Sequence, residues 1–501
     1  MGHFAEMEKV TPLSLIRKSN ALIRIAGIFL LLVFLTLKSC DRKKQASGSD
    51  PSSLAVVEYD LDEIVNSGVL RVITTYSPTG YFIYKGKTMG FEYELFKRLA
   101  DRLKVELEVV LARNVDSVIP MLNRGEGDII ALGYTITSDR KEMVSFTEPY
   151  LITHQALIQK KPDNWRKMTL DEIDKALVKD VTELIKDTVS VRKNSSYYLR
   201  VRELSNELGD RIYIKVLPGE ISDEEIIKRV AEGDIKFSVI DHNKAAIHKS
   251  YFPDIDVNTP ISLSQRIGWA VRKTSPELLK TINKELVRLK SKPDYNVIYK
   301  RYFQNKRRFT RRLDSEYYTA KTGKLSKYDE LVKKYSKTLG WDWILVKSII
   351  YQESMFRNKR ESWSGAGGLM QLMPETALEL GVSDVNDPEQ NIRAGSMYLR
   401  KIYEQWENIP DSIQRIKFTI ASYNCGYGHI KDAQRLSQKY GKDSLSWDNG
   451  VDFFTKNLSR SEYYNDPIVR YGYARGSETY NYVRDIFARY RNYKTISNQS
   501  L

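Results

Sequence analysis

341-WDWILVKSIIYQESMF-356 is the stretch from which the fold of the C-terminal part is read. Its apolar residues recur at helical spacing. Val346, Ile350 and Glu353 share one face, because offsets of four and three return to the same side of a helix. Ile349 lies one turn before Glu353. A carboxyl group therefore stands at the end of an apolar stripe. Desolvation disfavours its charged form and raises its pKa, which is what a general acid needs to hold a proton near neutral pH. Helical position alone fits a glutamate at the edge of a surface helix equally well, so the neighbouring segments decide.

Three of them bear on the question. 365-GAGGLMQLMP-374 is a glycine-rich approach to a helix that begins at Pro374. Glycines permit close backbone approach to a ligand, and a plain interhelical loop is the simpler alternative. 421-ASYNCGYG-428 ends another helix with glycine stops, where Asn424 is either functional or a cap. 478-ETYNYV-483 opens a last helix, with Tyr480 a sugar contact or a core residue. In this order and spacing, QES, GLMQLMP, SYNCGYG and ETYNYV resemble the soluble lytic transglycosylase catalytic domain, a mainly α, lysozyme-like fold of glycoside hydrolase family 23. The resemblance covers residues 326–501. It implies Glu353 as the single acid/base, with Ser354, Met370, Gln371, Tyr423, Asn424 and Tyr480 lining the sugar cleft. Cys425 stands where a small residue is usual and reads as packing; a Cys–His nucleophile with His429 is not needed to explain it.

Upstream, residues 56–304 alternate strand and helix patterns. Residues 69–75, 105–110 and 128–132 read as strands, 90–100 and 116–124 as helices, the second stopped near Gly125. This βαβα order predicts an α/β sheet with helices on its faces and a ligand at the strands' carboxyl ends. The segment 125-GEGDIIALGYTITSDRKEMVSFTEPY-150, together with TGYF and GFEYEL before it, resembles the bacterial solute-binding proteins of family 3, a two-lobed periplasmic binding module. The resemblance implies that Arg140 clamps a ligand carboxylate, assisted near Thr135. A guanidinium fork suits that task; a solvated helix-start arginine is the plain alternative. Residues 151–159 would cross into the second lobe and 266–272 return from it. Asp241 ends a strand where the family pairs an aspartate with a ligand ammonium, or else it caps the following helix. Asn194 stands where glycine is frequent.

Residues 305–325 are basic without a clear apolar period and read as a linker or docking strap. At the other end, Arg17, Lys18 and Arg24 precede the apolar run 25–37, too short for an ordinary spanning helix of ~20 residues and suited to a secretory signal. Cys40 follows, resembling a bacterial lipobox apart from Lys38; an uncleaved anchor with an incidental cysteine is the alternative. The expectation is a signal over 1–40, a flexible Ser/Gly-rich tether over 41–55, and an exported chain anchored as an outer-membrane lipoprotein in the periplasm.

Composition agrees. A chain of 501 residues exceeds one core and implies two or three domains. The net charge of +15 comes without a basic block or stacking repeat, which argues against nucleic acid and leaves a dispersed basic surface or attraction to an anionic polymer or membrane. Two cysteines exclude a disulfide framework, and the five histidines lack metal-ligand spacing, so no metal or cofactor is expected. The partners implied are peptidoglycan glycan strands for the enzyme and an amino acid or muropeptide-like ligand for the module. Because most glycosidases need two carboxylates and the matched motifs hold one, the resemblance implies substrate assistance and 1,6-anhydromuramyl products. The rivals are a goose-type lysozyme in which Asp384 or Asp387 positions water, and a ligand receptor with an inactive enzymatic domain.

Overall fold

The computed structural model describes residues 56–362 and 364–499. The apolar run 25–37, Cys40 and the tether lie outside them. Among the described residues no helix is long and apolar enough to cross a membrane.

The first lobe is built on a sheet in the order Glu106–Leu111, Val69–Thr74, Ile129–Thr135, Gln265–Val271, Ser145–Phe146, with Leu151–Thr153 also paired to Gln265–Val271. The first three strands are parallel, Val72 facing both Val109 and Ile129. Parallel neighbours need a crossover, supplied by Phe91–Leu103 and Val118–Asn123. Helix Phe91–Leu103 buries Phe91, Leu95, Phe96 and Leu99, a stripe at helical spacing. The chain leaves this lobe after Leu151–Thr153 and returns on Gln265–Val271, both crossings as anticipated.

The second lobe carries its own sheet, in the order Tyr213–Leu217, Thr188–Arg192, Phe237–Asp241, Gln155–Lys160, Ile255–Asp256. Asn194 has φ +53°. Asparagine tolerates this left-handed conformation better than most residues.

Residues 305–325 do not form a free linker. Helix Lys306–Leu313 buries Phe309, Arg312 and Leu313, and Tyr318 is buried beyond it. Arg312 donates to the Pro78 carbonyl at 2.7 Å and lies 4.2 Å over the Phe82 ring. The buried face has helical spacing, but a guanidinium occupies one of its positions, which hides the period in the sequence.

The remainder is helical. Trp343–Ser354 is buried at Ile344 through Ile350 and again at Ser354, so it is a central helix and not a surface one. It packs between Asp329–Leu339 and the long Gly476–Gln499 helix, and its buried Lys347 pairs with Asp329. The far end of Gly476–Gln499 reaches the first lobe: Tyr493 donates to the Gly86 carbonyl, Arg491 pairs with Glu106, and Tyr493 and Ile496 share one apolar cluster with the lobe's core. Gly86 (φ +72°) turns the Phe82–Tyr84/Lys87–Met89 hairpin directly against Tyr351, Phe356 and Tyr493; a Cβ there would overlap all three.

Candidate active site

Glu353 occupies the last turn but one residue of the Trp343–Ser354 helix, partly buried. Its pKa is pushed up to about 7 by burial, opposed by a hydrogen bond from Tyr482 and by the Arg360 charge. Tyr482 donates to Oε1. Among the described residues Oε2 has no hydrogen-bond partner. The group can therefore hold a proton near neutrality and release it, which is the requirement for one residue acting as acid and then base. Directly after the helix, Met355 and Phe356 take φ +52° and +62°. Two successive non-glycine residues in this region are unusual, and with Met355 as its left-handed C-cap the helix ends there.

The glycine-rich loop is tied to Arg360, whose charge acts on Glu353. Gly368 (φ +79°) lies so close to Asn391 and the Val385 carbonyl that a Cβ would overlap them. Asn391 in turn accepts from the Met370 amide at 2.8 Å. Gln371 (φ +51°) donates through Nε2 to the Arg360 and Gly368 carbonyls, both at 2.8 Å, closing the loop on itself. Tyr423 donates to the Met370 carbonyl at 2.7 Å, and its pKa is raised by burial and by the charge of Glu353. Exposed Asn424 accepts from Thr479 at 2.7 Å, so it is held from the last helix and is not a free cap.

The anticipated residues are thus not equivalent. Tyr423 is within electrostatic reach of Glu353, Gln371 is bonded to Arg360, whose charge also acts on Glu353, and Asn424 is bonded to Thr479. Ser354 does not reach the cleft: it is fully buried and its hydroxyl donates back to Ile350. Met370 is fully buried, its side chain packed on Gly395; its contribution is the carbonyl that holds Tyr423. Tyr480 lies beside Lys456, away from Glu353. Two residues along a helix is a rotation of ~200°, so Tyr482 faces the carboxyl and Tyr480 does not. Nothing in ETYNYV by itself singles out Tyr482 over Tyr480; the packing of the last helix on Trp343–Ser354 does. Asp387 caps the Pro388–Gln405 helix by accepting from Gln390, and Asp384 accepts from the Asn386 amide. Both accept from a local backbone amide through Oδ1 alone, and no carboxylate is among the groups that shift the Glu353 pKa. Cys425 is partly buried and its pKa is pushed up to about 11 by burial, the opposite of an activated thiol.

In the module, Thr135 and Arg140 come from the first lobe and Asp241 from the second, and all three line one cleft of ≈ 750 Å³ between the lobes. Thr137 caps the short Ser138–Met143 helix that carries Arg140. Arg140 is buried, not solvated. Asp241 stands at the N-cap position of His242–His248, yet its side chain makes no capping bond; it accepts from Tyr197 at 3.1 Å and pairs with Lys244 at 3.2 Å.

A two-lobed binding module leading into a helical domain that presents one proton-holding carboxyl has the build of a transglycosylase with a solute-binding module. Comparison with known proteins agrees. Bacterial extracellular solute-binding proteins, family 3, match residues 69–305, and the transglycosylase SLT domain matches residues 330–446. Proteins named membrane-bound lytic murein transglycosylase F are similar over most of the chain. That of Desulfosudis oleivorans is 36% identical over 433 residues, 85% of this chain and 90% of the relative. That of Vibrio cholerae is 32% identical over 483 residues, 93% and 85% respectively. A solved ancestral arginine-binding protein bound to arginine is 29% identical, with TM-score 0.40, covering 47% of this chain and 98% of its own. The chain belongs to the membrane-bound lytic murein transglycosylase F family.

Proposed function

We propose that this chain cleaves the β-1,4 bond between N-acetylmuramic acid and N-acetylglucosamine in peptidoglycan, leaving 1,6-anhydromuramyl ends, with Glu353 as the only acid/base. The observation that carries this reading is a single carboxyl with its pKa near 7 and one unbonded oxygen, with no second carboxylate acting on it. Glu353 protonates the bridging oxygen as the glycosidic bond breaks. The substrate's own 2-acetamido carbonyl stabilises the anomeric carbon. Glu353, now a carboxylate, takes the proton of the muramic C6 hydroxyl, and that oxygen closes on the anomeric carbon. Water is not consumed, and the carboxyl ends protonated as it began. Asn424 and Tyr423 orient the acetamido group, a positioning task. No carboxylate, Asp384 and Asp387 included, is among the groups that shift the Glu353 pKa, which weighs against a water-positioning lysozyme.

The chain is exported and held at the periplasmic face of the outer membrane by a lipid on Cys40. The family's membrane-bound relatives and the short apolar run before that cysteine support this. The module takes an amino acid or muropeptide-like ligand and modulates the enzyme. Support comes from the hairpin at Gly86, packed on Tyr351 and Phe356 to either side of Glu353 in sequence, and on Tyr493 of the helix that carries Tyr482. The test of the enzymatic reading is turnover on purified sacculi by the wild-type chain and Glu353→Gln. Clearance at a near wild-type rate by the variant would remove Glu353 from the mechanism.

A further inference from the structure

The charges of the interlobe cleft are unevenly matched. Its buried acids already have internal cations. The Lys244 ammonium lies 3.1 Å from Asp223 Oδ2 and 3.2 Å from Asp241 Oδ2. Arg192 Nη2 lies 3.2 Å from Asp223 Oδ1. Tyr197 adds a hydroxyl donor to Asp241 Oδ2.

Arg140 has no such match. It is only 9% exposed, its guanidinium stacks 3.8 Å over the Tyr134 ring, and Nη1 donates to the Thr135 carbonyl at 2.9 Å. No carboxylate pairs with it among the described residues, and its remaining N–H groups have no protein acceptor there. Burial lowers its pKa from the ordinary guanidinium value and outweighs the opposing pull of Asp116. A second group is also unmatched: Asp241 Oδ1 is buried without a hydrogen-bond partner. An unmade bond of this kind is costly and marks where a ligand donor fits.

These two groups select a ligand. The guanidinium fork suits a carboxylate. The free Asp241 oxygen needs an N–H donor, but the same carboxylate already carries the Lys244 ammonium. A second ammonium on Oδ1 would face that like charge across one carboxylate in a desolvated site, where such repulsion is strong. A neutral amide N–H would not. The cleft's ≈ 750 Å³ falls within the ~300–1,000 Å³ of sites for drug-sized ligands.

We propose that the module's ligand is an N-acylated amino acid or N-blocked short peptide, its carboxylate on Arg140 and its amide N–H on Asp241, and that Lys244 excludes free α-ammonium groups. This rests on reading the module as a small-ligand binder. The test is calorimetric titration of the full chain in detergent. The probes are N-acetyl-L-alanine against L-alanine, N-acetyl-L-alanyl-L-alanine against L-alanyl-L-alanine, and a panel of free amino acids. In each pair the acetylated member is expected to bind at least tenfold tighter, and Arg140→Ala to abolish that binding. Lys244→Met is expected to narrow the gap at least tenfold by admitting the free amine. Equal or tighter binding of the free amines to wild type overturns the proposal and leaves the module a binder of small ligands. Silence with every probe overturns both. Should Lys244→Met not fold, the wild-type ratio alone decides.

Discussion

Two glutamates in this molecule have been treated alike by burial and differ in what remains of them. Glu92, at the start of helix Phe91–Leu103 in the module, and Glu353, near the end of Trp343–Ser354 in the enzyme, both have pKa values raised first of all by desolvation. Each receives a tyrosine hydroxyl, from Tyr150 and Tyr482 respectively. Glu92, however, is bonded through both oxygens, since Trp269 Nε1 donates to the second at 2.9 Å. Glu353 keeps one oxygen without a protein partner. A raised pKa therefore does not distinguish a catalytic carboxyl from a structural one. The unspent oxygen does, because only a group with a free lone pair can exchange a proton with a substrate.

Substitutions sharpen the contrast, the largest effect first. Glu353→Gln should cut turnover on sacculi by at least ~10²–10⁴-fold, the usual worth of a positioned general acid, with glycan binding retained in a pull-down assay. The same change should stabilise the fold. A carboxyl with a folded pKa of about 7 and an unfolded one near ~4.3 gives its full stability below the unfolded value. That stability is lost as pH rises towards 7, so wild type pays for the ionised form above this range. At ~1.36 kcal/mol per unit, discounted for partial exposure, Glu353→Gln should gain on the order of 2 kcal/mol at pH 8 and almost nothing at pH 4 in denaturant titrations. A variant less stable than wild type at pH 8 would contradict the desolvation argument.

Tyr482→Phe has a subtler signature. Its hydrogen bond lowers the Glu353 pKa, so its loss should raise it. Wild-type cleavage should fall as pH rises through about 7, and in the variant that fall should move to higher pH. An unshifted alkaline limb would leave Tyr482 a packing residue. Glu92→Gln should have the smallest effect on turnover, which stays as in wild type, while the amide N–H set against a donor of Tyr150 or Trp269 should cost ~1–3 kcal/mol of stability, the usual penalty of a buried unsatisfied polar group. A large loss of turnover would show that the two carboxyls are not divided as described.

Much of this contrast was legible in the sequence, and the rest failed for identifiable reasons. Glu353 announced itself through the apolar residues at offsets of three and four before it, and the module's strands through runs such as 69–75 and 128–132. Tyr482 did not, because choosing between two tyrosines in ETYNYV requires knowing which face of the last helix meets the catalytic one. Ser354 and Met370 sit in the right motifs, yet local geometry turns their side chains into the core. Arg312 concealed the buried face of the strap by being charged. Lys244 meets Asp241 at local i,i+3 spacing, but its pairing with Asp223 joins two different helices, and no local period reveals that match.

The central claim is that one carboxyl serves as both acid and base while the substrate's own C6 hydroxyl closes the ring. Mass spectrometry of the muropeptides released from purified sacculi by the wild-type chain tests it most directly. Anhydromuramyl ends, lighter by one water than hydrolysis products, are the predicted result from the first turnovers onward. Predominantly reducing ends would contradict it, since they require water as the nucleophile and a second group near Glu353 to position it.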